Sequence, residues 1–263
     1  MIIEFETVAG LFGVAVVAGA VDAIAGGGGL MTLPALLLAG LDPVSAIATN
    51  KLQGSAGSVS ATIAFARRGL IRWREAGPAA LGAGLASVGG ALCVSLLPRS
   101  VLDALVPLML VGIALYFATA RRMSNEDAAA RITPGLFALT LAPAVGFYDG
   151  VFGPGAGSFY MIGFVTLLGL GVVRATAHTK LSNAASNLGS LALFTLQGAV
   201  IWPVGLAMAV GAFLGAQAGS ALAVRLGARL IRPLLVVIAC AMALRLLSNP
   251  ANPLRQAAAG FFS

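Results

Sequence analysis

Asp22-Ala23-Ile24-Ala25-Gly26-Gly27-Gly28-Gly29 returns later in the chain as Asp149-Gly150-Val151-Phe152-Gly153-Pro154-Gly155-Ala156. Asp22, Gly26 and Gly28 recur as Asp149, Gly153 and Gly155, each 127 positions on. Downstream the offset becomes 129, where Thr49-Asn50-Lys51-Leu52 aligns with His178-Thr179-Lys180-Leu181. Phe65, Gly69, Trp73, Gly82, Gly90 and Leu97 then align with Phe194, Gly198, Trp202, Gly211, Gly219 and Leu226. One repeat is written twice. Glycine breaks at equivalent places of a duplicated apolar chain are the pattern of a transporter whose site lies between its halves.

Composition sets the solvent. Of 263 residues, 59% are hydrophobic and only 10% charged, with a mean hydropathy of +0.97. A soluble domain carries about 25% charged residues, so this chain lacks the polar surface to cover a globule and lipid must cover it. Gly, Pro and Arg clusters interrupt the apolar runs, which fits spanning helices and not barrel strands. The net charge of +7 resides in short loops, so positive-inside topology explains it better than nucleic acid does. Cys93 and Cys240 lie in apolar segments without a CxxC or histidine neighbour, which predicts neither a disulfide framework nor a metal site. The start, Met1-Ile2-Ile3-Glu4, has no basic leader and reads as a retained first helix.

The polar stretch 121–133 is the natural cytoplasmic linker between a first repeat, 6–120, and a second, 134–248. Apolar runs cover about 8–24, 29–40, 46–66, 76–97 and 101–119, then about 135–150, 156–171, 178–196, 203–224 and 231–247. The first two runs of each copy are short for full spans, which need about 20 residues. They form either one broken helix or a hairpin. Loop charge decides. Arg67, Arg68, Arg72 and Arg74 crowd one loop, whereas its equivalent, 197–203, has no Lys or Arg. The loop at Arg99 is sparse, whereas its equivalent carries Arg225, Arg229 and Arg232. Opposite biases place equivalent loops on opposite sides, so the halves are inverted and each crosses an odd number of times. A hairpin followed by about three helices satisfies that parity. The expected fold is an all-α polytopic membrane protein of two inverted-topology repeats, with about eight to ten membrane segments. The N-terminus, Asp42 and the Trp202 loop then face outward; the linker and Arg174 face inward.

The glycine runs come first as candidate chemistry. Gly26, Gly27, Gly28 and Gly29, and Gly153, Pro154 and Gly155, permit tight turns. Helices starting beyond them would aim free N–H groups and positive dipole ends at the protein centre, an anion cradle. The competing reading is close helix packing by small residues. A nucleotide P-loop is excluded, since no Gly-Lys-Ser/Thr follows.

Lysine inside an apolar segment costs about 3 kcal/mol on insertion scales, yet Lys51 and Lys180 stand at equivalent positions. Each either faces an anion from its own side or pairs with Asp22 or Asp149. Asn50, Gln53, Thr179, Asn183 and Asn187 offer neutral hydrogen bonds. Asp22 and Asp149 either cap backbone at the hairpin tips or hold a coupling proton. His178, aligned with Thr49, either titrates at an accessible site or is packed and neutral.

At these motifs the chain resembles the TauE/SafE (TSUP) family of sulfite and organosulfonate exporters, in its YfcA-like subgroup of bacterial permeases. Asp22 to Gly29, Thr49 to Gln53, Phe152 to Gly157 and His178 to Leu181 carry the likeness, which covers nearly the whole chain. The resemblance implies a multi-pass carrier of the bacterial plasma (inner) membrane for small sulfur-containing anions, without fixing this member's substrate. Pro154 where the first copy has Gly27 makes the two half-sites chemically different.

The leading expectation is therefore secondary transport of a small anion by alternating access, with no cofactor, no enzymatic activity and membrane lipids as surroundings. An intramembrane lipid-phosphate enzyme and a passive anion channel are the alternatives. The small-residue stripe from Gly82 to Gly90 suits packing within the chain or between copies in a homo-oligomer.

Overall fold

The computed structural model describes residues 4–98 and 126–226. The apolar runs at 101–119 and 231–247, Cys240, and the loop arginines Arg99, Arg229 and Arg232 lie outside the described residues. Every regular element among the described residues is helical: α1 (Phe5–Ala25), α2 (Gly29–Leu38), α3 (Pro43–Ala66), α4 (Trp73–Leu96), α5 (Pro134–Leu139), α6 (Leu141–Val151), α7 (Ala156–Thr166), α8 (Val172–Leu196) and α9 (Trp202–Leu226).

Local chemistry sets these bounds. Asp42 caps α3 by accepting from the Ser45 N–H at 3.2 Å, with Pro43 in the first turn. Thr133 and Pro134 do the same for α5. The run expected at about 135–150 is interrupted at Thr140, three residues before Pro143. A proline there cannot donate to the Leu139 carbonyl, and its ring crowds that turn. Trp73 and Trp202 both open helices and stay partly exposed, as befits interface anchors.

The arms flanking the glycine breaks are unequal. α1 has 21 residues and is long and apolar enough to cross a membrane; α2 has 10. α4 and α9 also meet the requirements for a span. α3 and α8 are as long, 24 and 25 residues, or about 36 Å each, but are rich in polar side chains. These two pack together at the centre, where their polar faces are buried. Hydroxyls such as Ser58, Thr62, Thr176 and Ser190 bond back to carbonyls of their own helix. Leu81, Leu85, Leu92 and Leu96 on α4, and Leu206, Val210 and Leu214 on α9, point outward. The polar faces of α3 and α8 are enclosed within a largely apolar core, and large apolar side chains face outward, as suits a multi-pass membrane protein.

Each half is built on the other. α1 packs along α9 of the second half, and α6 along α4 of the first; α3 meets α9 as α8 meets α4. Glycines allow the close approach. A β-carbon on Gly19 would strike the Ala212 backbone, and one on the equivalent Gly146 would strike Ala83, the equivalent of Ala212. Gly219 sits on the Ala20 carbonyl as Gly90 sits on that of Phe147. Gly82, Gly84 and Gly90 are thus spent on contacts within the chain.

The segment before α5 is a strap. Ala128 N–H donates to the Gly169 carbonyl and Arg131 N–H to that of Leu167, each at 2.7 Å. Asp127 caps the Gly171 N–H at 2.7 Å and forms an ion pair with Arg174. The linker is therefore fastened to the turn between α7 and α8.

Candidate functional site

Two glycine breaks meet here. Gly26 stops α1 in the left-handed region (φ 79°), its N–H bonded to the Asp22 carbonyl at 2.8 Å, and the Asp22 carboxylate accepts from the Gly28 N–H at 3.2 Å. In the second copy Gly153 (φ 97°) takes the equivalent conformation, one that an L side chain resists. A β-carbon on Gly26 would lie 2.6 Å from the Ser158 nitrogen, and one on Gly157 would lie 2.8 Å from the Gly26 α-carbon. Ser158 Oγ donates to the Ala25 carbonyl at 2.7 Å, joining the breaks directly.

The buried lysines close reciprocal ion pairs across the halves. Lys51 of α3 reaches Asp149 Oδ1 of α6 at 2.6 Å, and Lys180 of α8 reaches Asp22 Oδ2 of α1 at 2.9 Å. Both ammonium groups are fully buried. Isolated charges at such depth are prohibitively costly, so mutual neutralisation is the physical reason for the pairing. The copies differ in how firmly they are held. Lys51 also donates to the Asp149 backbone carbonyl, and Ser186 Oγ donates to Asp149 Oδ2. Where the second copy has Ser186, the first has Gly57. The Asp149 side chain is 2% exposed, that of Asp22 17%.

A second reciprocal pair pins the helix starts. His178 Nε2 accepts from the Arg72 N–H at 3.1 Å, just before α4. Its aligned residue, Thr49, accepts from the Ile201 N–H at 3.0 Å, just before α9. The imidazole is buried, edge-on to Phe164 at 5.5 Å. His178 is packed and hydrogen-bonded, the second of the two readings open from sequence.

Between the breaks lies a cavity of about 30 Å³, room for about one or two waters. Asp22, Gly26, Gly28, Gly29, Asn50 and Gln53 line it from the first half; Asp149, Gly153, Gly155, Gly157, Asn183 and Asn187 line it from the second. Its polar lining mixes the two aspartate carboxylates with amide donors. Asn50 Oδ1 is taken by Thr32 Oγ1 at 2.6 Å and by Gln53 Nε2 at 2.8 Å. Asn183 Oδ1 is taken by Asn187 Nδ2 at 3.0 Å. With the carbonyl ends occupied, the NH₂ ends of Asn50 and Asn183 have no acceptor among the described residues and lie beside Gly29 and Gly157. The backbone N–H groups of Gly29, Gly153 and Gly155 likewise donate to nothing among the described residues.

Of the residues singled out from sequence, the Gly27, Lys51, Pro154, His178, Thr179 and Lys180 side chains or backbone stand behind the cavity wall rather than on it. Lys51 Nζ nonetheless lies against the second break, 2.9 Å from where a Gly153 β-carbon would be. Pro154 borders the meeting point, with its α-carbon 3.1 Å from a β-carbon on Gly29. Sequence reasoning missed Thr32 and Ser186, which orient Asn50 and Asp149, and the small wall residues Gly54 and Gly57. Gly57 and Ser186 break the internal repeat, so the alignment of the copies gave no signal for either.

The family model for the sulfite exporter TauE/SafE matches residues 11–246. The chain is 52% identical over 253 residues to "Probable membrane transporter protein ORF9" of Sinorhizobium sp, covering 96% of this chain and 97% of that protein. It is 48% identical over 237 residues to "Probable membrane transporter protein YfcA" of Escherichia coli (strain K12), covering 90% and 88%. A Haemophilus influenzae "Probable membrane transporter protein" is 40% identical over 242 residues, covering 92% and 95%. No solved structure matches.

Proposed function

The chain belongs to the sulfite exporter TauE/SafE family of membrane transporters, and from that premise we propose that it carries small sulfur-containing or organic anions, such as sulfite or sulfonates, across the bacterial inner membrane. The observation that carries this reading is the set of unpaired backbone and amide donors around the cavity between the two glycine breaks. An oxyanion there is received by the backbone N–H groups of Gly29, Gly153 and Gly155 and by the amides of Asn50 and Asn183. Gln53 and Asn187 hold those amides in orientation. Lys51 and Lys180 supply positive potential from behind, partly offset by their aspartates.

The exchange of elements between halves supports alternating access as the mode of transport. The inverted repeats rock about the shared α3–α8 contact, exposing the cavity to one side and then the other. Its present size suits waters rather than a hydrated anion, in keeping with a closed intermediate of that cycle. The relatives' names as membrane transporters favour a carrier over the lipid-phosphate enzyme.

The test is a thermal-shift panel of sulfite, methanesulfonate, sulfate and acetate on purified protein, followed by uptake of the stabilising anions into proteoliposomes. Stabilisation by at least one sulfur oxyanion is expected. Asn183→Ala should weaken its binding about tenfold, equivalent to roughly 1.4 kcal/mol, the worth of one hydrogen bond to a charged group. Protein that no anion stabilises and that moves none would sink this reading.

A further inference from the structure

The two ion pairs occupy equivalent places and are not equivalent. Asp149 is closed in on both oxygens, by Lys51 on one and Ser186 on the other. Lys51 has a second acceptor in the Asp149 carbonyl. Asp22 lacks a serine partner, because Gly57 stands where the second copy has Ser186. Its Oδ1 accepts a single backbone N–H from Gly28, and its Oδ2 meets Lys180 alone. Lys180, in turn, has Asp22 as its one bonded partner among the described residues. The Asp22 side chain is the more exposed of the two carboxylates and lines the cavity.

Charge bookkeeping then constrains what an arriving anion can do. The cavity and its four paired groups are neutral as they stand. A monoanion beside the Asp22 carboxylate places two negative charges together in a medium of low dielectric, where like charges repel strongly. The groups facing α1 do not relieve this. α2 carries no titratable residue and α7 only the buried Tyr160; α3 brings Lys51, already bound to Asp149; α8 brings Arg174, which is paired with Asp127, together with Lys180 and the buried His178, which is bonded to Arg72; α9 brings Arg225, exposed in its last turn. Relief comes from adding one proton.

Resting on the anion-carrier reading, we infer that Asp22 is the proton-coupling site: a proton from bulk water bonds to Asp22 Oδ2 as the anion enters, and Lys180 passes from Asp22 to the anion. One proton and one negative charge enter together, so the cavity stays neutral. Lys180 remains an ammonium throughout, and no bond other than the new O–H is made. The Asp149–Lys51 pair stays closed and serves as the fixed strut of the site. Asp22, 17% exposed against 2% for Asp149, is the carboxylate that a proton reaches when the cavity opens, and its lack of a Ser186 equivalent lets Lys180 leave.

The experiment uses the full chain in proteoliposomes with an entrapped pH dye. Methanesulfonate is the first probe, because it carries no proton of its own at neutral pH; sulfite is the second. Wild-type protein should acidify the lumen as the anion enters. Asp22→Asn should still exchange anion for anion, more slowly, while its accompanying proton movement falls at least tenfold. Asp22→Glu, which keeps a carboxyl group, should restore proton movement and guards against a folding defect in the amide variant. Anion entry without protons in wild type overturns the inference and leaves the carrier reading standing. So does proton movement that survives Asp22→Asn, or a folded Asp22→Asn protein that exchanges no anion. Uptake of neither probe overturns both.

Discussion

Asp149 with Lys51 and Asp22 with Lys180 began as copies of one arrangement, and a single position separates them. Both carboxylates border the cavity, but a serine at 186 bonds one and leaves it 2% exposed, whereas a glycine at 57 leaves the other without that partner and 17% exposed. Duplication supplies two matched half-sites, and their divergence allows one to be structural while the other changes state. A symmetric pair of sealed aspartates would make a rigid core, and a symmetric pair of open ones would leave two buried lysines weakly held.

The largest effect expected from breaking this comparison is at the sealed pair. Asp149→Ala leaves Lys51 buried without its carboxylate, which costs about 3–5 kcal/mol for a broken buried pair. It should abolish a cooperative melt in detergent, whereas Asp22→Ala, acting on the more exposed pair, should lower the melting temperature less. Equal losses would show that the pairs are equivalent after all. Next in size is the helix contact. Gly215→Ala drives a methyl into the Val16 carbonyl and should cost about 1–3 kcal/mol by overpacking. Gly77→Ala has open space and serves as the matched control. The smallest effect, about 1 kcal/mol, is expected from Ser186→Gly, which gives the second copy the residue of the first and removes one hydrogen bond. Amide exchange at Asp149 and its neighbours should rise toward that around Asp22; unchanged exchange would deny Ser186 its sealing role.

Much of the architecture was legible because duplication leaves spacing behind. The glycine breaks and the matched helix ends at Trp73 and Trp202 are readable from offsets of 127 and 129, whereas the runs at 46–66 and 178–196, read as apolar, are the polar-faced helices α3 and α8. The interruption at Thr140 was readable in principle from Pro143. What could not be read was which lysine met which aspartate. Periodicity describes one helix at a time, and Lys51 and Asp149 are 98 residues apart. The same limit hid the orientation of Asn50, which depends on Thr32 from another helix. Positions where the copies differ, such as Gly57 and Ser186, were invisible to an argument built on their likeness.

The pairing of Lys180 with Asp22, 158 residues earlier in the chain, also sets a timetable for biosynthesis. At about 5–20 residues per second, Asp22 is made about 8 to 30 seconds before its lysine exists. Through that interval the Asp22 side chain must wait at the translocon or in lipid, where an acidic residue at a helix centre costs about 3 kcal/mol. Gly28 is near at hand from the start, and its N–H can shelter the carboxylate until the second half arrives. The glycine that shapes the cavity in the finished protein is thus also the first companion of its most exposed buried acid.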